Sequence, residues 1–452
     1  LLHTVTFSHI IYSSSIQYRP VPTLNSDQLM ILGVLRSKGV ATSLEIQSAI
    51  GKSQPTVSRL VAGMSDQVLT LGRGRATAYA FPQSIRGASA QQPVWLTDDV
   101  GSVRRAGTLS LLENDTLHVE SEFGTFTTRG ALPWPLAPLR AQGFLGRLLA
   151  QRLSATGLGT SPEQWPLASI LFAALQLHDA PGALTIGTSP GAHGQPSLGA
   201  DPAADLDAIA ADIESTLPAG SSAGGEQPKF LAVREADGQH VLVKFTPPRD
   251  TPFGERWHDL LVCEDLAGKT LRRRGIASAA SHIVESGKRT YLVSERFDRV
   301  GANGRRHVVS IGAAHAAFSA VAFNGWGEAA ESLARQGRLS VRDVDSARVL
   351  QNFGRSIGNS DMHSGNLALF VDLTTKPKFS LAPSYDMLPM RWRPDGTLGG
   401  APDYAPFEID SIAAGSPAHA IAQEFWDALR GDERASSKLR GLSGQMLARM
   451  AP

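Results

Sequence analysis

Gly358-Asn-Ser-Asp361-Met-His363-Ser-Gly-Asn366-Leu-Ala-Leu-Phe370 is the stretch on which the reading of this 452-residue chain turns. Asp361 and Asn366 stand five positions apart, just ahead of a short apolar run. That spacing suits phosphoryl transfer, where a carboxylate accepts the proton of an acceptor hydroxyl and a carboxamide lies back toward the phosphates to hold magnesium. His363 lies in the same loop on the nucleotide side. Asp361 already fills the position of a base, so a loop-organising hydrogen bond is the role expected of His363. Alone the stretch is a weak signal, because Asp-x-His pairs are common turn formers.

Its neighbours strengthen it. Twenty residues on, Ser380-Leu-Ala-Pro-Ser-Tyr385-Asp386 puts a second carboxylate at the end of an expected strand. Magnesium takes one or two carboxylates together with phosphate oxygens, and Asn366 with Asp386 meets that minimum. Upstream, Val241-Leu-Val-Lys244-Phe245 is a strand carrying one lysine among apolar residues. A lysine there is costly unless its ammonium meets an anion, such as a nucleotide phosphate. Glu264 stands on an expected helix twenty residues later and can pair with it. Before the lysine strand lies Ser221-Ser222-Ala-Gly224-Gly225-Glu226-Gln227-Pro228-Lys229. Paired glycines let backbone amides approach phosphate oxygens, and Lys229 adds charge.

Composition bounds the rest. Apolar residues make up 42% and charged residues 19%, a globular balance, and the length implies two or three domains. The formal charge of +1 means that any affinity for nucleic acid must come from a local patch. Cys263 is the single cysteine, which excludes an internal disulfide and a Cys-rich metal site and favours a reducing cytoplasm. The histidines show no zinc-ligand spacing. No apolar run reaches the length of a membrane span, and residues 1–25 read as a disordered extension without the features of a signal peptide.

From Ser26 to Pro82 three helical patterns precede a strand pair, with Ser26 or Asp27 as the first cap, Gly39 as its end, and Pro55 in the first turn of the third helix. Val68-Leu-Thr-Leu and Ala76-Thr-Ala-Tyr-Ala-Phe81 flank Gly72-Arg-Gly-Arg75, a hairpin tip. This is helix-turn-helix spacing followed by a wing. Gln54, Thr56, Ser58 and Arg59 are the expected base or phosphate contacts, with Lys52, Arg73 and Arg75 on phosphates. From Pro93 to Leu153 short alternating segments predict a small β-rich subdomain. Trp134 and Trp257 read as core.

In this order the motifs resemble the HipA family of toxin kinases, and the fused N-terminal unit resembles its YjjJ-like (HipH-like) subgroup. The carriers are the Ser222–Lys229 loop, the Val241–Phe245 strand, Glu295-Arg296-Phe297-Asp-Arg299, Asp361 to Asn366 and Tyr385-Asp386. Gln142-Gly-Phe-Leu-Gly146 and Pro181-Gly-Ala-Leu184 add to them. The resemblance implies Asp361 as catalytic base, Asn366 and Asp386 as magnesium ligands, and Lys244 on the phosphates of ATP. It implies that Glu295, Arg296 and Phe297 present backbone groups to adenine, that residues 224–229 cover the phosphates, and that Ser222 is autophosphorylated. Glu226 departs from the family pattern, and Ser221 competes with Ser222 for modification.

The expected architecture is α+β: a two-lobed, protein-kinase-like HipA body with a β-rich subdomain, preceded by a winged helix-turn-helix. The expected boundaries are 26–90 for the winged unit, 91–298 for the β-rich subdomain and ATP lobe, and 299–452 for the helical catalytic lobe. The expected activity is transfer of the ATP γ-phosphate to Ser or Thr of a protein, with Mg²⁺ and DNA binding in the same chain. The resemblance points to a translation component such as an aminoacyl-tRNA synthetase as target, and to operator DNA, a HipB-like antitoxin and a homodimer as partners. Competing readings are a DNA-binding regulator with an inactive ATP-sensing body, a magnesium-dependent DNA-damaging toxin, and a small-molecule phosphotransferase.

Overall fold

The computed structural model describes residues 24–72, 74, 77–191, 194–216, 227–395 and 400–450. Residues 1–23 of the expected extension, Arg73, Arg75, Ser221, Ser222, Gly224, Gly225 and Glu226 lie outside the described residues. The chain forms two compact units, one ending at Phe81 and one beginning at Pro82.

The first unit orders as α1 (Ser26–Lys38), β1 (Val40–Thr42), α2 (Ser43–Ile50), α3 (Gln54–Ala62), β2 (Leu69–Leu71) and β3 (Ala78–Ala80). Its antiparallel sheet runs β1-β3-β2, so a strand that the sequence pattern did not reveal completes the hairpin. Helical spacing buries Ile31 and Leu35, Ile46 and Ile50, and Val57 and Val61 in one core with Met64 and Tyr79. The first cap is Asn25, not Ser26 or Asp27. Its side chain accepts from Gln28 N at 2.9 Å while Gln28 Oε1 accepts from Asn25 N at 3.0 Å. Only Asn25 has a glutamine three residues on to close this capping box.

The second unit starts before the boundary expected at residue 90, because Pro82 bridges Leu112 and Gln83 donates to Leu111 O. Strands β4 (Gln91–Thr97), β5 (Val103–Leu112), β6 (Thr116–Ser121) and β7 (Gly124–Arg129) form a meander. Helices α4 (Gly143–Arg152) and α5 (Leu167–Ala174) follow, and β8 (Leu184–Ile186) returns to the edge of β4, giving the order β7-β6-β5-β4-β8.

Next come β9 (Ser197–Leu198), α6 (Pro202–Thr216), β10 (Lys229–Arg234), β11 (Gln239–Phe245), α7 (Pro252–Arg273), β12 (Ser281–Glu285) and β13 (Thr290–Glu295). They build a sheet of order β12-β13-β11-β10-β9, antiparallel except where β9 meets β10. Alternation along β11 sends Val241, Val243 and Phe245 into the core under α4 and α6, and Lys244 to the opposite face.

The remainder is β14 (Arg299–Val300), β15 (Gly304–Arg305), β16 (Val308–Ser310), α8 (Ile311–Phe318), α9 (Trp326–Arg335), α10 (Val341–Ile357), β17 (Ala368–Asp372), β18 (Lys378–Leu381), α11 (Ser411–Ala414), α12 (Ala418–Gly431) and α13 (Ser437–Met450). Trp326, Phe353, Phe425 and Trp426 fill its core, and Trp257, Cys263 and Leu271 of α7 belong to the same core. The division expected at residue 299 therefore cuts through one packed interior. Trp134 packs against this core as well.

Candidate active site

Lys244 is the centre of the site. Its ammonium donates to both Glu264 oxygens at 2.6 Å and to Oδ1 of Asp386. Strand β11 supplies the lysine, α7 the glutamate, and the loop after β18 the aspartate. Thr251 caps α7 by accepting from Gly254 N at 3.0 Å, and Pro252 occupies the first turn. Lys244 and Glu264 are buried, at 5% and 8% exposure. Burial works against the lysine's charge, but Asp386 and Glu264 outweigh it and raise its pKa. Burial pushes Glu264 up, reinforced by Asp386 and opposed by Lys244. Burial also opposes ionisation of Asp386, yet Lys244, with Lys229, holds its carboxyl down at about 2. One ammonium thus sits between two carboxylates.

Asp386 adopts φ 53, a left-handed conformation that aspartate tolerates better than most side chains. Asn359 holds it there. Its Nδ2 donates to Asp386 O at 3.2 Å, and its Oδ1 accepts from Asp361 N at 3.0 Å, so one buried side chain ties the two acidic loops together. The motif spacing assigns Asn359 no role. Its signal is position: it follows Gly358, the left-handed end of α10.

The Asp361 loop is braced from several sides. Asn366 Nδ2 donates to Asp361 O at 2.7 Å, Tyr385 OH to Gly365 O at 2.9 Å, and Trp326 Nε1 to His363 O at 3.0 Å. Two amides at the start of α8, on Ile311 and Gly312, donate to Leu367 O and Ser364 O. His363 Nδ1 accepts from Gly365 N at 3.0 Å, an organising contact within the loop. Phe297 packs on Tyr385 with ring centroids 5.8 Å apart.

Lys229 lies directly across the strands from Lys244, and its charge acts on both Glu264 and Asp386. Gln227 Nε2 donates to Phe245 O at 2.5 Å and Pro228 O accepts from Phe245 N at 3.0 Å, which closes the ladder beside the lysine.

The Glu295–Phe297 segment narrows which backbone groups can be presented. The amides of Glu295 and Arg296 are already donated to Ala280 O and His240 O, so they are not donors for adenine. The guanidinium of buried Arg296 binds Asp298 at 2.9 and 3.0 Å and Asp179 at 2.5 Å. Phe297 N–H, which has no partner among the described residues, is the donor left in that segment.

On α3 of the first unit, Gln54, Ser58 and Arg59 are exposed. Thr56 is half-buried and its hydroxyl lies 3.1 Å from Ser53 Oγ, while Lys52 pairs with Asp27 at 3.1 Å.

Residues 221–431 match the family model described as HipA-like C-terminal domain, and residues 88–193 match YjjJ-like toxin, middle domain. Toxin YjjJ of Escherichia coli (strain K12) is 35% identical over 427 residues, which is 90% of this chain and 94% of that protein. The chain belongs to the HipA/YjjJ-like toxin family. HipA of Shewanella oneidensis MR-1, solved as a toxin–antitoxin complex with HipB and its operator DNA, shares the fold at a TM-score of 0.51 and 17% identity. That alignment covers 79% of this chain and 96% of the HipA chain. The Helicobacter pylori proinflammatory kinase CtkA aligns with a TM-score of only 0.32, at 10% identity over 50% of this chain and 91% of its own, and carries no argument.

Within this HipA/YjjJ-like toxin the donor chemistry fits magnesium. Asn366 uses its nitrogen on Asp361 O, which leaves its amide oxygen without a donor among the described residues. Asp386 meets Lys244 through one oxygen and keeps the other. Among the described residues no three His, Cys, Asp or Glu side chains converge on one point. A cation here would complete its shell with phosphate oxygens, the habit of magnesium rather than zinc.

Proposed function

We propose that this toxin is an ATP-dependent kinase that phosphorylates Ser or Thr of a protein. The observation that carries the reading is Lys244 bound at once to Glu264 and Asp386, with Asn359 joining Asp386 to the Asp361 loop. Lys244 would steady the nucleotide phosphates, and the 224–229 loop would cover them. Asp361, whose carboxylate has no donor among the described residues, would orient the acceptor hydroxyl and take its proton as the γ-phosphoryl transfers and ADP leaves. Magnesium held by Asn366 and Asp386 would neutralise phosphate charge.

Mass spectrometry after incubation with Mg²⁺ and ATP tests this. Phosphate is expected on Ser222 or Ser221 in the wild type, and none in Asp361→Asn. ATP binding without transfer would favour an inactive sensing body. Plasmid nicking without ATP, lost in Asp386→Ala, would favour the DNA-damaging reading.

A second reading concerns the first unit, where three helices, an antiparallel hairpin and the exposed polar residues of α3 support a winged helix that binds operator DNA. The Shewanella complex adds a HipB-like antitoxin as a partner to look for. Arg59→Ala is expected to weaken binding to the chain's own promoter fragment and to leave phosphate transfer intact.

A further inference from the structure

Beside the Asp361 loop lies a groove of ≈ 440 Å³. Ser360, the residue before Asp361, stands at one end; Met390, Ala401 and Pro402 give it apolar walls, and Arg391, Arg393 and Asp395 its charges. Arg391 and Arg393 are exposed on either side of buried Trp392. Among the described residues neither makes an ion pair; the Arg391 guanidinium lies over the ring of Phe407, 5.3 Å from its centroid.

The groove is built, not incidental. Arg256 donates from one nitrogen to Trp392 O at 2.9 Å and Pro402 O at 2.7 Å, spanning the two walls. Its guanidinium lies 3.8 Å from the centroid of the Tyr404 ring, whose hydroxyl donates to Asp259 at 2.7 Å. Arg391 N donates to Gly358 O at 3.0 Å, which fastens the groove to the helix end that launches the Asp361 loop.

We propose that this groove seats the polypeptide carrying the acceptor hydroxyl, and that it selects acidic segments. The proposal rests on the kinase reading and adds the substrate class to it. Two guanidinium groups face one carboxylate, Asp395, so the local balance is positive, and arginine forks match carboxylates in bidentate fashion. Single-stranded nucleic acid would meet the same charges, but it needs exposed rings on which bases stack. Here Trp392 is buried, with Tyr404 and Phe407 packed on it at 6.0 and 5.8 Å.

Fluorescence anisotropy on the full chain tests the proposal with labelled serine peptides flanked by glutamates, alanines or lysines, and with a single-stranded DNA oligonucleotide. The glutamate peptide is expected to bind about tenfold or more tighter than the lysine peptide, with an advantage that shrinks as salt rises. Arg391→Glu with Arg393→Glu should abolish that advantage, and Arg391→Lys with Arg393→Lys should keep most of it, with melting curves confirming that both variants fold. An absent preference, one indifferent to charge reversal, or tighter binding of the oligonucleotide overturns the proposal. Binding is read without turnover, so a wild type that prefers the glutamate peptide yet transfers no phosphate from ATP upholds the groove's selectivity and removes the kinase reading alone.

Discussion

Asn359 is the residue whose substitution separates position from chemistry. Asn359→Ala removes both of its bonds, whereas Asn359→Asp still accepts from Asp361 N but cannot donate to Asp386 O. Displacements of about 1 Å in such a site cost on the order of a hundredfold in rate. Single-turnover phosphate transfer is expected to fall by about that factor in Asn359→Ala and by less in Asn359→Asp, which keeps the bond to Asp361 N. Equal loss in both would show that only the bond to Asp386 O matters. Asp386 makes a pH prediction. Its folded pKa of about 2 lies below the ordinary value of 3.8, so the unfolded chain binds more protons as pH drops. The stability that it contributes is present above about pH 4 and is lost as pH falls toward 2. Urea midpoints measured across that window should drop more steeply in the wild type than in Asp386→Asn, a residue that also accepts the left-handed backbone.

Among the elements, α8 braces the Asp361 loop in a way that helix propensity does not suggest. Its first amides have no partners within the helix, and two of them go to Leu367 O and Ser364 O. Gly312 lets the helix come that close. A Cβ there would lie 2.6 Å from Ser364 Cβ and 3.0 Å from Ser364 O, so the loop itself would have to move. Gly312→Ala is therefore expected to lower phosphate transfer about tenfold or more while the far-ultraviolet spectrum stays native. Unchanged transfer would show that the loop can yield without losing its geometry. The glycines at 143 and 182 have comparable local reasons. Gly143 takes φ 61 at the start of α4, and Gly182 takes φ 82 while its amide donates to Asp298 Oδ2 at 2.8 Å.

At the scale of the whole second unit, a buried ionic cluster joins the β-rich sheet to the lysine-bearing sheet. Asp179, ahead of β8, and Asp298, after β13, share the guanidinium groups of Arg296 and Arg299. Burial opposes charge on both aspartates, yet the two arginines keep their pKa values below the ordinary carboxylate range. Removing one partner of such a cluster strands the others. Arg299→Ala is expected to cost about 3–5 kcal/mol, read as a lower urea midpoint of this unit. A change within about 0.5 kcal/mol would mean that water or Arg305 replaces the lost charge.

Local rules were legible in the one-dimensional text. Periodicity and turn residues placed the helices of the first unit and the Lys244 strand, and residue chemistry drew attention to Lys244, Glu264 and Asp386, which the fold joins, because caps, faces and the cost of a buried charge are set by residue type and near neighbours. The first cap lies one or two residues ahead of the expected Ser26 or Asp27, since those are cap-forming types in themselves and only the pairing with Gln28 decides for Asn25. Tertiary structure alone decided the rest. Lys244 meets a carboxylate 142 residues away, Asn359 spans 27 residues to Asp386, and Arg256 reaches Pro402 across 146. Partners at such separations are chosen by how sheets and helices pack, and nothing in the neighbouring residues encodes them. That is why the chain gave no sign that the Arg296 side chain joins Asp179, 117 residues away, in a buried ion cluster.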